Sequence, residues 1–296
     1  CQDFSTCGKR NGLNSHRSHT GSKLEVGEPS IESRGQLYMW MRDVITLTKP
    51  YVFIAENVKG LMNLVDVKTI IEHDFADAAD GGYLVVPARV LNSADFGVPQ
   101  SRERVIFFGF QKKRLMPAAM DALTKAVVTP EFDPYPVPTH HTKSQVIENL
   151  LWPAVTCLEA FTGLDEPEES SDPAQAKYSK AKYMGSHCQG QKEIKLGTVA
   201  PTIRSEHHGN IEFRRLSAAH GGNHREELMA GLPERRLSVR ECARIQTFPD
   251  HYQFILPTAD GHKAVSASDA YKLIGNAVPC VLAYHIAMRL KENWEK

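Results

Sequence analysis

The chain is 296 residues long, with 42% hydrophobic and 24% charged residues, enough for one large domain or two modest ones. That composition is ordinary for a folded globular chain and excludes disordered and collagen-like classes. The 35 basic and 35 acidic side chains cancel, so bulk charge points to neither a nucleic acid nor a membrane surface, and no apolar run approaches the roughly 18–20 residues of a membrane span.

Residues 1–34 are polar and rich in Gly, Ser, His and Arg, and read as a long loop of the kind that usually carries function. Residues 35–48 predict a helix, apolar at Leu37, Met41, Val44, Ile45 and Leu47 and stopped by Pro50. The run 51–57 predicts a buried strand with Glu56 and Asn57 at its C-terminal end. Residues 64–79 predict a helix, and 81–92 and 104–110 two further strands joined by the loop FGVPQSR. Strand, helix and strand with apolar strands predict an α/β sheet, in which ligands bind beyond the carboxyl ends of the strands. That would place Glu56 and Asn57 where chemistry sits.

From about 128 to 176 the chain is Pro-rich, acidic and irregular, which suggests entry into a second domain. Residues 159–172 hold six acidic side chains and no basic one, whereas 177–225 hold nine Lys/Arg against three Asp/Glu. The second stretch, with short strand-like pieces, predicts a small β-rich or irregular domain with a phosphate-facing surface. Ser238 and Glu241 form a capping-box pattern at the start of a helix, and 278–294 predicts a closing amphipathic helix with Pro279 in its first turn.

The six cysteines, at 1, 7, 157, 188, 242 and 280, contain no C-x-x-C spacing and fit free thiols in a reducing compartment. The His pairs at 140–141 and 207–208 match no zinc-ligand spacing, so no metal is expected. The chain starts with Cys1 rather than Met, and its start is expected not to be the natural start of translation.

Four stretches carry chemistry. They are CQDFSTCG at 1–8, IAENV at 54–58, FGVPQSRERVIFFGF at 96–110, and RRLSVRECARIQTFPD at 235–250 followed by YKLIGNAVPCVLA at 271–283. In this order they resemble the DNA cytosine-C5 methyltransferase family, truncated at the N-terminal side of its catalytic cysteine. The resemblance rests on Cys1, Gln2, Phe4, Ser5 and Gly8; on Ser33-Arg34-Gly35; on Glu56, Asn57 and Val58; and on Gln100, Arg102 and Arg104. It continues in Arg240, Glu241, Ala243, Arg244, Gln246, Phe248 and Pro249, and in Gly275, Asn276, Val278 and Pro279.

The resemblance implies a partial Rossmann-like, S-adenosylmethionine-dependent methyltransferase domain with a small target recognition domain. The expected partition is catalytic over 1–127, target recognition over 128–234, and catalytic again over 235–296. Cytosine C5 is a poor nucleophile until a thiolate adds at C6, so the resemblance makes Cys1 the nucleophile. It makes Glu56 the acid at N3, a carboxyl whose raised pKa could supply the proton. Arg104, or Arg102 with it, would hold the O2 side and orient Glu56. A base inside a duplex cannot receive this attack and must be flipped out, which suits a mobile loop over 3–34.

Ser5, Lys9, Arg10 and Arg34 are expected to meet DNA there, with Arg204, Arg214, Arg215 and Arg240 further along. The acidic stretch would then face away from DNA. Asn276, Ala277 and Val278, with Leu37, are the expected remaining wall of the S-adenosylmethionine site. The chain has no Gly-rich turn after a strand, where the family's main cofactor site lies, so the bare chain is expected to bind that cofactor weakly or not at all and to be inactive alone. The expected partner is double-stranded DNA, without a membrane, in a prokaryotic cytoplasm and a restriction-modification setting, with the whole enzyme monomeric. Two rivals share the motifs: a tRNA cytosine methyltransferase, and the C-terminal DNA-binding subunit of a split enzyme completed by a separate N-terminal piece.

Overall fold

The computed structural model describes residue 13 and residues 36–125, 127–141, 151–181, 193–205, 211–215, 234–256 and 265–294. The chain forms two compact units. Unit 1 holds residues 1–91, 103–135 and 290–296, and unit 2 holds 92–102 and 136–289. The partition by function expected at 127/128 and 234/235 is a different division of the chain.

In unit 1 the first helix, α1 (Tyr38–Thr48), ends where Lys49 turns left-handed at φ 46° and donates its N–H to the Ile45 carbonyl. Pro50 lacks the N–H needed for another turn. Strand β1 (Val52–Val58) leads through a single turn of 3-10 helix into α2 (Val65–Ala76), which is followed by β2 (Tyr83–Asn92) and, later, β3 (Glu103–Gln111). A last helix, α3 (Pro117–Thr124), starts on a proline at its first position, which the sequence reading did not anticipate.

The sheet order is β1-β3-β2, and β1 runs antiparallel to β3. Glu56 therefore lies opposite Ile106, beside the N-terminal half of β3, rather than beyond the C-terminal edge of a parallel sheet. The pleat sorts the two strands by face. Phe53, Ala55, Val105 and Phe107 turn toward one core with Phe75 and Tyr83. Burying each large side chain contributes about 1.5–3 kcal/mol. Glu56 shares the other face with Arg104, Ile106 and Phe108, by the same alternation. There the Tyr135 ring meets Phe108 edge-on at 4.9 Å, and its hydroxyl donates to the carbonyls of Ile106 and Pro87 at 2.8 and 3.0 Å.

Gly109 stands opposite Phe53 in the register. A Cβ there would lie 2.1 Å from the Phe53 ring, so the ring occupies space that only glycine leaves open.

Unit 2 contains two short strand pairs, β4 (His140–His141) with β5 (Trp152–Pro153), and β6 (Phe213–Arg215) antiparallel to β7 (Glu234–Arg236). Its helices are α4 (Cys157–Phe161), α5 (Val239–Ile245), α6 (Ala267–Asn276) and most of α7 (Cys280–Trp294). Three of these start on complete capping boxes: Thr156 with Glu159, Ser238 with Glu241, and Ser266 with Asp269. The core joins Ile203, Ile211, Leu237, Val239, Cys242, Phe254, Tyr271 and Ile274.

The segment Ala267–Glu292 is long and apolar enough, by length and composition, to cross a membrane, although Asp269, Lys272 and Arg289 interrupt it and no uninterrupted apolar run in it reaches the length of a span. In the fold it is two helices parted at Ala277, and Ala267, Ala270, Tyr271 and Ile274 of the first belong to the unit 2 core.

Candidate active site

Two polar centres gather the motif residues, one in each unit. In unit 1, Arg104 sits two residues along β3 from the partner of Glu56, a diagonal spacing that long side chains can bridge. Its Nε lies 2.7 Å from Glu56 Oε1, with the side chains 13% and 25% exposed. One guanidinium nitrogen also donates to the Glu103 carbonyl at 2.8 Å. Burial draws the Arg104 pKa below its ordinary value, against the opposing charge and hydrogen bond of Glu56. The pair is partly sheltered, so a ligand approaching Glu56 meets a carboxylate whose orientation is already fixed. Asn57 next to it accepts from the Val58 N–H at 2.8 Å and steadies the strand end. An exposed pair, Lys59 with Glu103 at 2.7 Å, flanks the centre.

Arg102 does not join that pair. Its side chain is buried in unit 2, where it donates to the carbonyls of Ile203 and Gly275 at 2.8 Å and of Ala277 at 3.0 Å. Gln100 beside it is fully buried, donating to Gln246 Oε1 at 2.9 Å and accepting from the Ile203 N–H at 2.8 Å. Gln246 in turn donates to Ile274 and Ala277 carbonyls at 2.7 and 3.2 Å. The segment 100–102, the end of α5 and the link between α6 and α7 thus form one buried polar network.

Gln246 and Thr247 also supply the first turn of α7. The Cys280 N–H donates to the Gln246 carbonyl at 3.2 Å and the Val281 N–H to the Thr247 hydroxyl at 3.0 Å. Thr247 adopts φ 57°, a costly conformation for a β-branched residue. Gln100 and Gln246 carry the family resemblance in the sequence, but the motifs alone assign neither of them a task in the site. The available signal was that each glutamine stands between an apolar and a hydroxyl residue, as Pro99-Gln100-Ser101 and Ile245-Gln246-Thr247.

Asn276 ends α6 with its side chain exposed, and Ala277 and Val278 are half-buried after it. Leu37, which precedes α1 in unit 1, is 38% exposed.

The candidate DNA contacts divide differently from expectation. Arg240 is not at a surface. Its side chain is 4% exposed and held by Asp172 at 2.5 Å, so a phosphate contact would first have to break that pair. The acidic stretch explains the difference, because it supplies partners to the basic motif. Glu166 takes Arg235 at 2.9 Å, alongside Glu241 of the motif itself at 2.8 Å, and the Thr162 carbonyl accepts from Arg244 at 2.7 Å. Arg204 is 36% exposed and 3.7 Å from the buried Glu212. Arg214 and Arg215 lie in β6, opposite Arg235 and Glu234; their side chains, with Cys1, Ser5, Lys9, Arg10 and Arg34, lie outside the described residues.

The sequence matches the family described as C-5 cytosine-specific DNA methylase over residues 1–292. It is 30% identical over 285 residues to the type II methyltransferase M.FnuDI of Fusobacterium nucleatum, covering 93% of this chain and 73% of that protein. It is 31% identical to the type II methyltransferase M.NgoFVII of Neisseria gonorrhoeae, covering 100% of this chain and 70% of that one. Among solved structures, the S. pombe Dnmt2 methyltransferase superposes with a TM-score of 0.52 at 15% identity, covering 98% of this chain and 75% of that chain. That likeness bears on fold, a mixed α/β methyltransferase fold with small sheets.

Proposed function

We propose, from the premise that the chain belongs to the family of C-5 cytosine-specific DNA methylases, that it moves a methyl group from S-adenosylmethionine to C5 of cytosine in a specific duplex DNA sequence. The observation that carries the mechanism is the Glu56–Arg104 pair. An acid that must work at one ring nitrogen needs a fixed direction, and a guanidinium on a neighbouring strand supplies it. In this reading the thiolate of Cys1 forms a bond to C6 of a flipped-out cytosine. Glu56 holds a proton at N3, which takes up the charge that addition pushes into the ring. Arg104 keeps Glu56 in place on the O2 side. After C5 is methylated, a water or hydroxide removes the C5 proton and the sulfur–C6 bond breaks.

S-adenosylmethionine, when bound, supplies an electrophilic methyl group. Asn276, Ala277 and Val278 fit one wall of its site: the Asn276 side chain is exposed at a helix end, while the Ala277 carbonyl is already engaged by Arg102 and Gln246. Leu37 is a further contact in this proposal. Ser5, Lys9, Arg10 and Arg34 would meet the DNA near the nucleophile, with Arg204, Arg214 and Arg215 on the target recognition region over 128–234. The type II relatives favour a restriction-modification role in a bacterial cytoplasm. Transfer of labelled methyl groups to duplex DNA, with tRNA as the competing substrate, tests the reading. Methylation of tRNA in preference to DNA would overturn it.

A second reading, that a separate segment completes the enzyme, has one favourable observation. Among the described residues β1 is an outer strand of its sheet, and Val52 and Ile54 on it are 36% and 41% exposed. Trp40, Val44 and Leu47 form an exposed apolar stripe on α1 in the same unit. Activity that appears only when a matching N-terminal segment is added would support it. Full activity of the chain alone would refute it.

A further inference from the structure

We infer that Arg102 is a positioning residue for the cofactor wall, acting by capping the C-terminal end of α6 so that the backbone presents Asn276. The inference rests on the reading that Asn276–Val278 meet S-adenosylmethionine. The last carbonyls of a helix have no partner within it, and a positive charge at that end is favourable. At the end of α6, Ile274 is served by Gln246, Gly275 by Arg102, and Ala277 by both. Both donors are buried, Arg102 at 1% and Gln246 at 0% exposure, so water cannot easily replace them.

The third Arg102 partner, Ile203, belongs to a segment that presses on the same helix end. A Cβ on Gly275 would lie 2.2 Å from the carbonyl carbon and oxygen of Arg204. One planar guanidinium therefore joins two backbone segments that meet at Gly275, a task a fork of fixed donors performs and a point charge does not. Asn276 is the next residue and its side chain is exposed. The cap thus lies directly behind the group proposed to touch the cofactor, whereas Glu56 has its own arginine.

Two measurements on the full chain test this, using Arg102→Lys and Arg102→Met with Asn276→Ala and Glu56→Gln as references. The first is amide hydrogen exchange without any ligand. Arg102→Met should speed exchange at Ala277, Cys280 and Val281 by about tenfold or more while residues 53–58 and the α5 amides keep their wild-type rates. Arg102→Lys, which keeps the charge, should show a smaller local effect.

The second is steady-state methyl transfer. Arg102→Met should raise the KM for S-adenosylmethionine about tenfold with kcat within about threefold of wild type, as Asn276→Ala should, while Glu56→Gln lowers kcat. Unchanged exchange at 277–281 overturns the inference. So does acceleration throughout unit 2 in both variants, which would mark a purely structural role, or a fall in kcat at constant KM. A wild-type chain that transfers no methyl group to DNA even with a matching N-terminal segment added counts against the proposed function, and the exchange result then decides the inference by itself.

Discussion

Replacing Glu56 with Gln separates chemistry from stability, because Gln keeps an oxygen for Arg104 and loses the titratable proton. The geometry sets the stability side. Removing one partner of a fully buried pair costs about 3–5 kcal/mol. Here the side chains are 13% and 25% exposed and the 2.7 Å contact keeps an acceptor. A loss of about 1–2 kcal/mol is the expected size once solvent screening and the retained hydrogen bond are counted. The chemical side is larger. A positioned acid contributes roughly 10²–10⁴-fold, equivalent to about 2.7–5.4 kcal/mol in the barrier. Glu56→Gln should therefore remain folded in urea titration and lose at least a hundredfold in single-turnover transfer of labelled methyl groups to duplex DNA. Arg104→Lys should lose less, since an ammonium keeps the charge but not the fixed direction. A Glu56→Gln protein that transfers methyl groups within threefold of wild type would show that this carboxyl is not the acid.

Gly109→Ala should destabilise unit 1 by about 1–3 kcal/mol, the usual size of overpacking, because the new methyl meets a Phe53 ring that already packs on Phe75 and Tyr83 at 5.2 Å; recovery of stability in Gly109→Ala with Phe53→Leu, by urea titration, is the check. Burial, the largest single influence, raises the Asp172 pKa, but the hydrogen bond and charge of Arg240 and the hydrogen bond from the Ala174 N–H together outweigh it and leave it below its ordinary value. A depressed carboxyl stabilises the fold above its unfolded pKa, about 3.9, and that stability is lost as pH falls through the lower folded value. Asp172→Asn should thus reduce stability at neutral pH and flatten the loss below about pH 4, and an unchanged acid profile by circular dichroism would refute the pairing. Burial pushes the Cys157 thiol up to about 12 and Cys242 well above its ordinary value. At pH 8 iodoacetamide should leave both unmodified until denaturant is added, read by mass spectrometry after digestion.

Local signals were legible where a few neighbouring residues settle the outcome. The run at 51–57 became β1 within a residue, and the Ser238–Glu241 box formed with both of its hydrogen bonds. The same signal stood unread at Ser266 and Asp269, where α6 begins. Pairing between distant segments was not legible. Periodicity marks β1 and β3 as strands but does not say that they run antiparallel with β2 outside β3. Likewise, the charge blocks were visible as composition. That Asp172 and Glu166 would take up Arg240 and Arg235 depends on contacts 68 and 69 residues apart. Of the candidate site, the motif residues themselves were readable, but the division of labour between Arg102 and Arg104 was not. Two arginines separated by one glutamate look alike until one is seen in the sheet and the other under a helix end.

The chain passes from unit 2 back to unit 1 between Arg102 and Glu103, and this has a consequence for grafting. A chimera that exchanges 136–289 for the corresponding stretch of a relative would import new carbonyls at positions 203, 275 and 277 and a new glutamine site at 246, yet keep the old residues 92–102 that must fit them. The transplant should succeed only when that eleven-residue passenger, separated in sequence by a strand and a helix of the host, travels with it. Exchange of unit 2 in this scaffold is thus a two-piece operation, with Gln100 and Arg102 as the compatibility check.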